Sequence, residues 1–145
     1  MTEQTGELKF VEFKVLKEPW NEYKLEDGST LRVKVVLIGV LKEDDTFSLQ
    51  TNNVLGIIPN PKYLSLPSPP LKTDEKLETY IEAEDLKILN HTDHWNEYDL
   101  PSESAKLSIK GVVVTVSRTS RHDEKGTPVY STNVQLLLKP KKYKK

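Results

Sequence analysis

Hydrophobic and polar residues alternate with a period of two along several stretches of the chain. In residues 11–15 and 31–35, Val, Phe and Leu occupy the odd positions and Glu, Lys and Arg the even ones. This period and the high β-branched content are typical of β-strands. Asp27-Gly28 and residues 43–45 carry turn signals between such stretches. The pattern therefore predicts short antiparallel strands joined by tight turns.

An internal repeat extends this pattern to the whole chain. The segment Trp-Asn-Glu-Tyr-Lys-Leu at residues 20–25 recurs at residues 95–100 with five of six residues identical. Further matches follow in the same order: residues 10–12 with 80–82, residues 31–34 with 107–110, and residues 53–54 with 133–134. Ordered matches of this kind predict that one β-unit was duplicated.

The repeat and the composition divide the chain into five segments within one compact domain. They are a polar N-terminal segment (1–9), a first β-unit (10–58), a Pro-rich connector (59–76), a second β-unit (77–138) and a basic tail (139–145). We expect an all-β fold: an antiparallel β-sandwich or barrel of about eight strands, built from two similar four-stranded units with a pseudo-twofold relation. For residues 77–89, strand and helix both remain open.

The long apolar strand of each unit is hydrophobic on both faces in its second half. On the face where each strand starts with polar residues, such as Arg32 and Lys34, the later positions are apolar. These positions are Val36, Ile38, Val40, Val112, Val114 and Val116. A strand with water on one side does not need such residues. They are either covered inside one body or form an interface between the units or with another subunit.

Composition and charge exclude several classes of protein. The 145 residues include no Cys, so thiolate chemistry and disulfides are excluded. No apolar run approaches the roughly 20 residues of a membrane span, and the first residues do not resemble a signal peptide. We expect a cytoplasmic protein that does not enter membranes, and the abundance of Lys and Glu suits a heat-adapted source.

The positive charge is concentrated at the C-terminal end. The net charge is −1, but without residues 139–145 it would be −6, from 16 basic and 22 acidic residues. We expect a mobile tail that either keeps the chain soluble or holds nucleic-acid phosphates. Its cationic residues are Lys139, Lys141, Lys142, Lys144 and Lys145.

The repeated Trp-Asn-Glu-Tyr motif is the most specific local pattern. Trp20, Tyr23, Trp95 and Tyr98 could stack on bases or sugar rings. Lys34 and Lys110, at equivalent positions, could bind an anion or keep an exposed strand soluble. The alternative is architectural: the aromatics pack in the core while Asn and Glu satisfy turn backbone groups. Because the motif is repeated with the fold, the architectural interpretation is favoured.

Catalytic and metal motifs are weak. His91, His94 and Glu97 have a spacing that could hold a metal ion, but the repeat alignment places both histidines in a loop insertion of the second unit. No Gly-rich phosphate loop occurs, and no cofactor is implied.

The function favoured by these patterns is a non-catalytic protein-binding or assembly module. Its partner is a second copy of the chain or another protein. A nucleic-acid-associated module, using the repeated aromatics and the Lys-rich tail, is the first alternative. A metal-dependent enzyme using the His-x-x-His segment is the second. The sequence leaves open whether the protein has a small-molecule ligand.

Overall fold

The computed structural model describes residues 8–142, which contain ten β-strands, three short 3-10 helices and no α-helix. The strands are β1 (Lys9–Val11), β2 (Lys14–Lys17), β3 (Asn21–Leu25), β4 (Thr30–Glu43), β5 (Thr46–Ile58), β6 (Ile81–Ala83), β7 (Ile88–Thr92), β8 (Asn96–Leu100), β9 (Ala105–His122) and β10 (Pro128–Lys142). The 3-10 helices span Pro61–Tyr63, Leu77–Tyr80 and Pro101–Glu103. The all-β prediction is confirmed, but there are ten strands, and not about eight.

The additional strands arise because segments expected to be continuous are broken. Residues 10–17, which alternate as one strand would, divide into β1 and β2 around residues 12–13. Residues 77–89, for which the sequence left strand and helix as alternatives, contain a 3-10 helix, Leu77–Tyr80, followed by β6 and the start of β7. Hydrophobic alternation with a period of two indicates which face of a strand is buried. It does not show where the hydrogen-bond ladder is interrupted.

The strands form two antiparallel sheets of five, arranged like a sandwich and not closed into a barrel. In the first sheet, β5 pairs with β4 from end to end, while β1 and β3 pair with opposite ends of β4, and β7 lies beyond β3. In the second sheet, β10 pairs with the length of β9, while β8 and β6 pair with opposite ends of β9, and β2 lies beyond β8.

Two strands join the sheet of the opposite half of the chain. Strand β2, from the segment before the connector, pairs with β8, and Val15 lies opposite Tyr98. Strand β7, from the segment after the connector, pairs with β3, and His91 lies opposite Tyr23. Each sheet therefore contains strands from both halves, which sequence alternation alone does not reveal.

The core consists of two clusters, and both sheets contribute to each. The first joins the C-terminal half of β4 to β8 and the start of β9: Val11, Val35, Leu37, Val40, Tyr98, Leu100, Ala105, Leu107 and Ile109. The second joins β3 and the start of β4 to the C-terminal half of β9 and to β10: Tyr23, Leu25, Leu31, Val33, Leu86, Val113, Val116 and Tyr130. The sheets are therefore held together by shared apolar burial.

The long strands β4 and β9 approach each other closely at Val35 and Gly111. A Cβ atom on Gly111 would lie 2.5 Å from Cγ2 of Val35, which is too short for a van der Waals contact. Gly111 is required here by the space available.

β-Bulges explain why the long strands look hydrophobic on both faces. Leu37 pairs with Thr51 and Gly39 with Gln50, so Ile38 is an extra residue in β4. Val114 is the corresponding extra residue in β9. A bulge shifts the alternation by one residue. Val40 and Val116 therefore face the core, at 1% and 0% exposure, whereas Ile38 and Val114 are about half exposed.

The C-terminal lysines begin inside the second sheet. Strand β10 runs to Lys142, and Lys139 to Lys142 pair with Ser108 to Ala105 of β9. The expectation of a separate mobile tail from residue 139 is therefore wrong for residues 139–142. Lys144 and Lys145, and the side chains of Lys141 and Lys142, lie outside the described residues.

Candidate functional site

The Asn and Tyr residues of the repeated motif are structural. Tyr23 and Tyr98 are 2% and 0% exposed, so the alternative in which these two rings stack on a ligand has no open ring face at either position. The side chains of Asn21 and Asn96 are equally buried. Asn21 accepts from the backbone N–H of His94 at 2.8 Å, and Asn96 donates to the backbone carbonyl of Val35 at 2.7 Å.

A carboxylate from the opposite half of the chain accompanies each buried tyrosine. The Tyr98 hydroxyl donates to Glu18 at 2.7 Å, and the same carboxylate oxygen accepts the backbone N–H of Leu37 at 3.1 Å. Burial, followed by this bond to Glu18, raises the pKa of Tyr98. Burial also raises the pKa of Tyr23, with a smaller contribution from the charge of Asp93. Both hydroxyls therefore remain protonated donors within the fold.

Sequence analysis missed these two acids, although a signal for them was present. Glu18 and Asp93 each stand two residues before a tryptophan. When the two repeats are aligned on Trp20 and Trp95, the residues of β7 align with those of β2 and not with a gap. The interpretation of His91 as part of a loop insertion is consequently wrong, because His91 lies in β7.

The two tryptophans, in contrast, are half-buried and lie under cationic side chains. Over Trp20, Arg32 lies 4.6 Å and the Lys34 ammonium 5.9 Å from the ring centroid. Over Trp95, the ammonium groups of Lys110 and Lys139 lie 5.7 and 5.5 Å from the centroid. Cation–π attraction accounts for these positions.

Lys34 and Lys110 are each placed beside their own tryptophan. Arg32, which sequence analysis did not select, also belongs to the Trp20 surface and forms an ion pair with Glu22 at 3.2 Å. Lys110 lies 3.8 Å from Asp93. Lys139, expected to be in a mobile tail, reaches the Trp95 ring because it belongs to β10.

The metal candidates do not form a site. His91 contacts Asp93 at 3.0 Å and stacks on Tyr23, while His94 and Glu97 line a depression beside Trp95. Across residues 8–142, no group of three or more His, Asp or Glu side chains is close enough to hold a metal ion. The structure therefore does not bring the three metal candidates together.

A buried ionic network ties the two sheets to the connector. The Asp27 carboxylate, in the β3–β4 turn, accepts from Arg118 at 2.8 Å and from the Tyr130 hydroxyl at 2.7 Å. Arg118 also bonds Glu82 and stacks on Tyr63 of the connector at 3.8 Å. Every charge here is paired, which favours a structural role over a reactive one.

These bonds set the protonation of the network. Burial alone would raise the pKa of Asp27. The bonds from Tyr130, the Ser29 N–H and Arg118 outweigh burial and hold the pKa below its usual value. Burial, together with Asp27, raises the pKa of Tyr130 to about 12. At neutral pH, Asp27 is therefore an anion that accepts from a protonated Tyr130.

Strand β5 is a long edge strand that lacks the charged residues and prolines usual in such strands. It pairs with β4 on one side only, and its 13 residues include no charged residue and no proline. Val54, Leu55 and Ile58 are 44–57% exposed. The other long edge strand, β10, has Lys139 and Pro140 towards its end. Proteins usually protect long edge strands with charges or prolines, and β5 has neither.

The six interface candidates are divided by the fold. Val40 and Val116 belong to the core, and Val36 and Val112 are half-buried. Only Ile38 and Val114 remain exposed, each in a bulge. Scanning the sequence for charge-free windows with strand propensity would have selected residues 46–58 instead.

Comparison with known proteins returns no relative: no family model, no curated protein and no solved structure matches the chain. The described residues also contain no helix that is long and apolar enough to cross a bilayer. By its own geometry, the chain is an all-β protein of two sheets, with β5 as a long edge strand that has no charged residue and no proline.

Proposed function

We propose that this protein is a non-catalytic assembly module, and that its partner is a second copy of the chain paired through β5. The observation that carries the proposal is the uncharged, proline-free edge of Thr46–Ile58. At about 3.3 Å per residue, this edge offers about 43 Å of unpaired backbone. Two such edges present donors and acceptors to each other without any charge repulsion.

The geometry favours a twofold dimer. Antiparallel pairing of β5 with its own copy is self-complementary, so one strand sequence satisfies both sides of the contact. It would join the two five-stranded sheets that contain β5 into one continuous sheet. Strand β10 is a poorer edge for this purpose, because it carries a charge at Lys139 and because Pro140 lacks a backbone donor.

The experiment is light scattering coupled to size exclusion over a wide range of protein concentration. The wild-type chain should reach the mass of two chains. The double variant Val54→Lys/Ile58→Lys places like charges along the pairing edge, so its dissociation constant should rise at least about tenfold. Leu66→Lys is the matched control, since Leu66 is 84% exposed in the connector, and it should dimerise like the wild type.

Two outcomes would contradict the proposal. One is a wild-type chain that stays monomeric up to about 1 mM, the weakest association that this geometry would explain. The other is a double variant that remains folded by circular dichroism and dimerises as tightly as Leu66→Lys.

We infer in addition that the two halves, residues 10–58 and 77–138, descend from one duplicated unit with a pseudo-twofold relation. The matched pairings of β4 and β9, the bulges at Ile38 and Val114, and the reciprocal placement of β2 and β7 support this origin. Superposition of residues 10–58 on residues 77–138 tests it. Unlike backbone settings for Trp20 and Trp95 would refute the common origin.

A further inference from the structure

The outer face of the second sheet contains an aromatic ring among lysines, which we call the Trp95 surface. It comprises Lys17, Trp95, Glu97, Lys106, Lys110 and Lys139, contributed by β2, the residue before β8, and β8, β9 and β10. Two shallow depressions meet at Glu97 on this face. One is bordered by Lys17 and Trp95 and the other by Lys106 and Lys139. Together they cross four adjacent strands, about 14 Å at the usual strand spacing.

The charges on this face are asymmetric between the two sheets. At the Trp95 surface, Lys110 is paired with Asp93 at 3.8 Å, but Lys106 and Lys139 add two further positive charges, and β10 continues with two more lysines in the chain. At Trp20, Arg32 is paired with Glu22, and the neighbouring β5 contributes no charge. The equivalent tryptophans therefore stand in different electrostatic surroundings, although both carry a cation over the ring.

We propose that the Trp95 surface binds single-stranded nucleic acid, independently of the pairing of β5. A base stacks on the Trp95 ring, and the lysines on either side contact the phosphates that flank it. Aromatic rings in a basic groove hold single strands in this way, since every base has a face to stack. The Lys110 and Lys139 ammonium groups are held over the ring by cation–π attraction. When a base takes their place on the ring, both groups remain close enough to contact the phosphates on either side of that base.

Single strands fit better than duplex for a physical reason. The surface offers one ring and a short row of lysines on the flat face of a sheet, and none of its residues belongs to the 3-10 helices found in residues 8–142. A duplex is commonly read by a helix that enters its major groove, and the Trp95 surface has no such element. A base in a duplex is already stacked and paired, so it cannot turn its face to Trp95. Glu97, in the middle of the path, can accept from the exocyclic amino group of an unpaired base.

The test measures fluorescence anisotropy of a labelled oligodeoxycytidine of about 16 nucleotides, at about 50 mM and about 200 mM salt. The full wild-type chain should bind, and more weakly at the higher salt. Trp95→Ala should raise the dissociation constant about 5-fold or more, and Trp95→Phe, which keeps a ring, should recover most of that loss. Trp20→Ala is the matched control and should bind like the wild type.

A charge variant separates stacking from phosphate binding. Lys139→Gln should lower the slope of log affinity against log salt by about 0.7, the value for one phosphate contact on a single strand. The proposal is overturned by an absence of binding at the lower salt, by equal effects of Trp95→Ala and Trp20→Ala, or by equally tight binding of the corresponding duplex. None of these outcomes bears on dimerisation, so the two proposals can fail separately.

Discussion

Individual residues of the repeated motif have opposite roles, and burial decides between them. Within Trp-Asn-Glu-Tyr, the Asn and Tyr side chains are enclosed and bonded to the opposite half of the chain, whereas each Trp keeps contact with solvent. Sequence identity between the two copies is the same for all of these positions. The motif could be identified from the sequence, but the split between core and surface residues could not.

Asp27 provides a prediction at the residue scale. Asp27→Asn removes a charge that Arg118 and Tyr130 both contact, and it should lower the free energy of unfolding at neutral pH by about 2 kcal/mol. The pKa of Asp27 is lowered in the folded state. Its contribution is therefore complete above the unfolded pKa of about 3.9 and is lost as the pH falls through the folded value.

Urea denaturation at about pH 7 and at about pH 3 measures this effect. The difference between wild type and Asp27→Asn should shrink at the lower pH. Asp44→Asn, at an exposed turn position, should differ little from wild type at either pH. A difference for Asp27→Asn that is unchanged by acid would show that the charge of Asp27 is not what stabilises the network.

At the scale of elements, the bulges determine which apolar residues are core residues. Ile38 and Val40 are separated by one residue and would share a face in a regular strand, yet one is exposed and the other is buried. The same holds for Val114 and Val116. Alternation predicted the strands themselves, but it indicated that both faces of the second half of each long strand are apolar. It could not separate core from surface residues there, because the bulge position depends on pairing with β5 or β10.

Lysine substitution distinguishes the two faces. Ile38→Lys and Val114→Lys should change the free energy of unfolding by less than about 1 kcal/mol, because both ammonium groups would reach water. Val40→Lys and Val116→Lys should each cost more than about 3 kcal/mol, because they bury an unpaired charge. Chemical denaturation of the four variants measures these values. Similar costs for Ile38→Lys and Val40→Lys, or for Val114→Lys and Val116→Lys, would contradict the assignment of the bulges.

At the scale of the whole molecule, neither half of the chain contains a complete sheet or a complete core. Strands β2 and β7 each pair within the sheet that the other half builds, and both hydrophobic clusters combine residues from the two sheets. A half on its own would expose one side of every cluster. A unit of about 50 residues buries too little apolar surface to remain folded in that condition.

Fragment complementation tests this arrangement. Residues 1–76 and 77–145, expressed separately, should each lack the near-ultraviolet circular dichroism of fixed aromatic side chains. Mixing them should restore it, because Tyr23 and Tyr98 regain their partners across the two halves. The intact chain is the reference spectrum. A single half that unfolds cooperatively as a monomer would contradict the shared core.

What the sequence determined by itself is local: the β class, the turns, the Pro-rich connector and the repeated motif. All of these follow from residue preferences and from a period of two, which neighbouring residues are enough to establish. Even the unprotected edge of β5 is visible as a charge-free stretch of sequence.

The tertiary structure alone decided which sheet each short strand joins, which face of β4 and β9 turns inward after the bulges, and that Lys139 lies over Trp95. These properties depend on hydrogen-bond ladders between residues far apart in the chain. A slip or an extra residue in one ladder moves every following side chain to the other face. Such information belongs to pairs of strands, and no single stretch of sequence carries it.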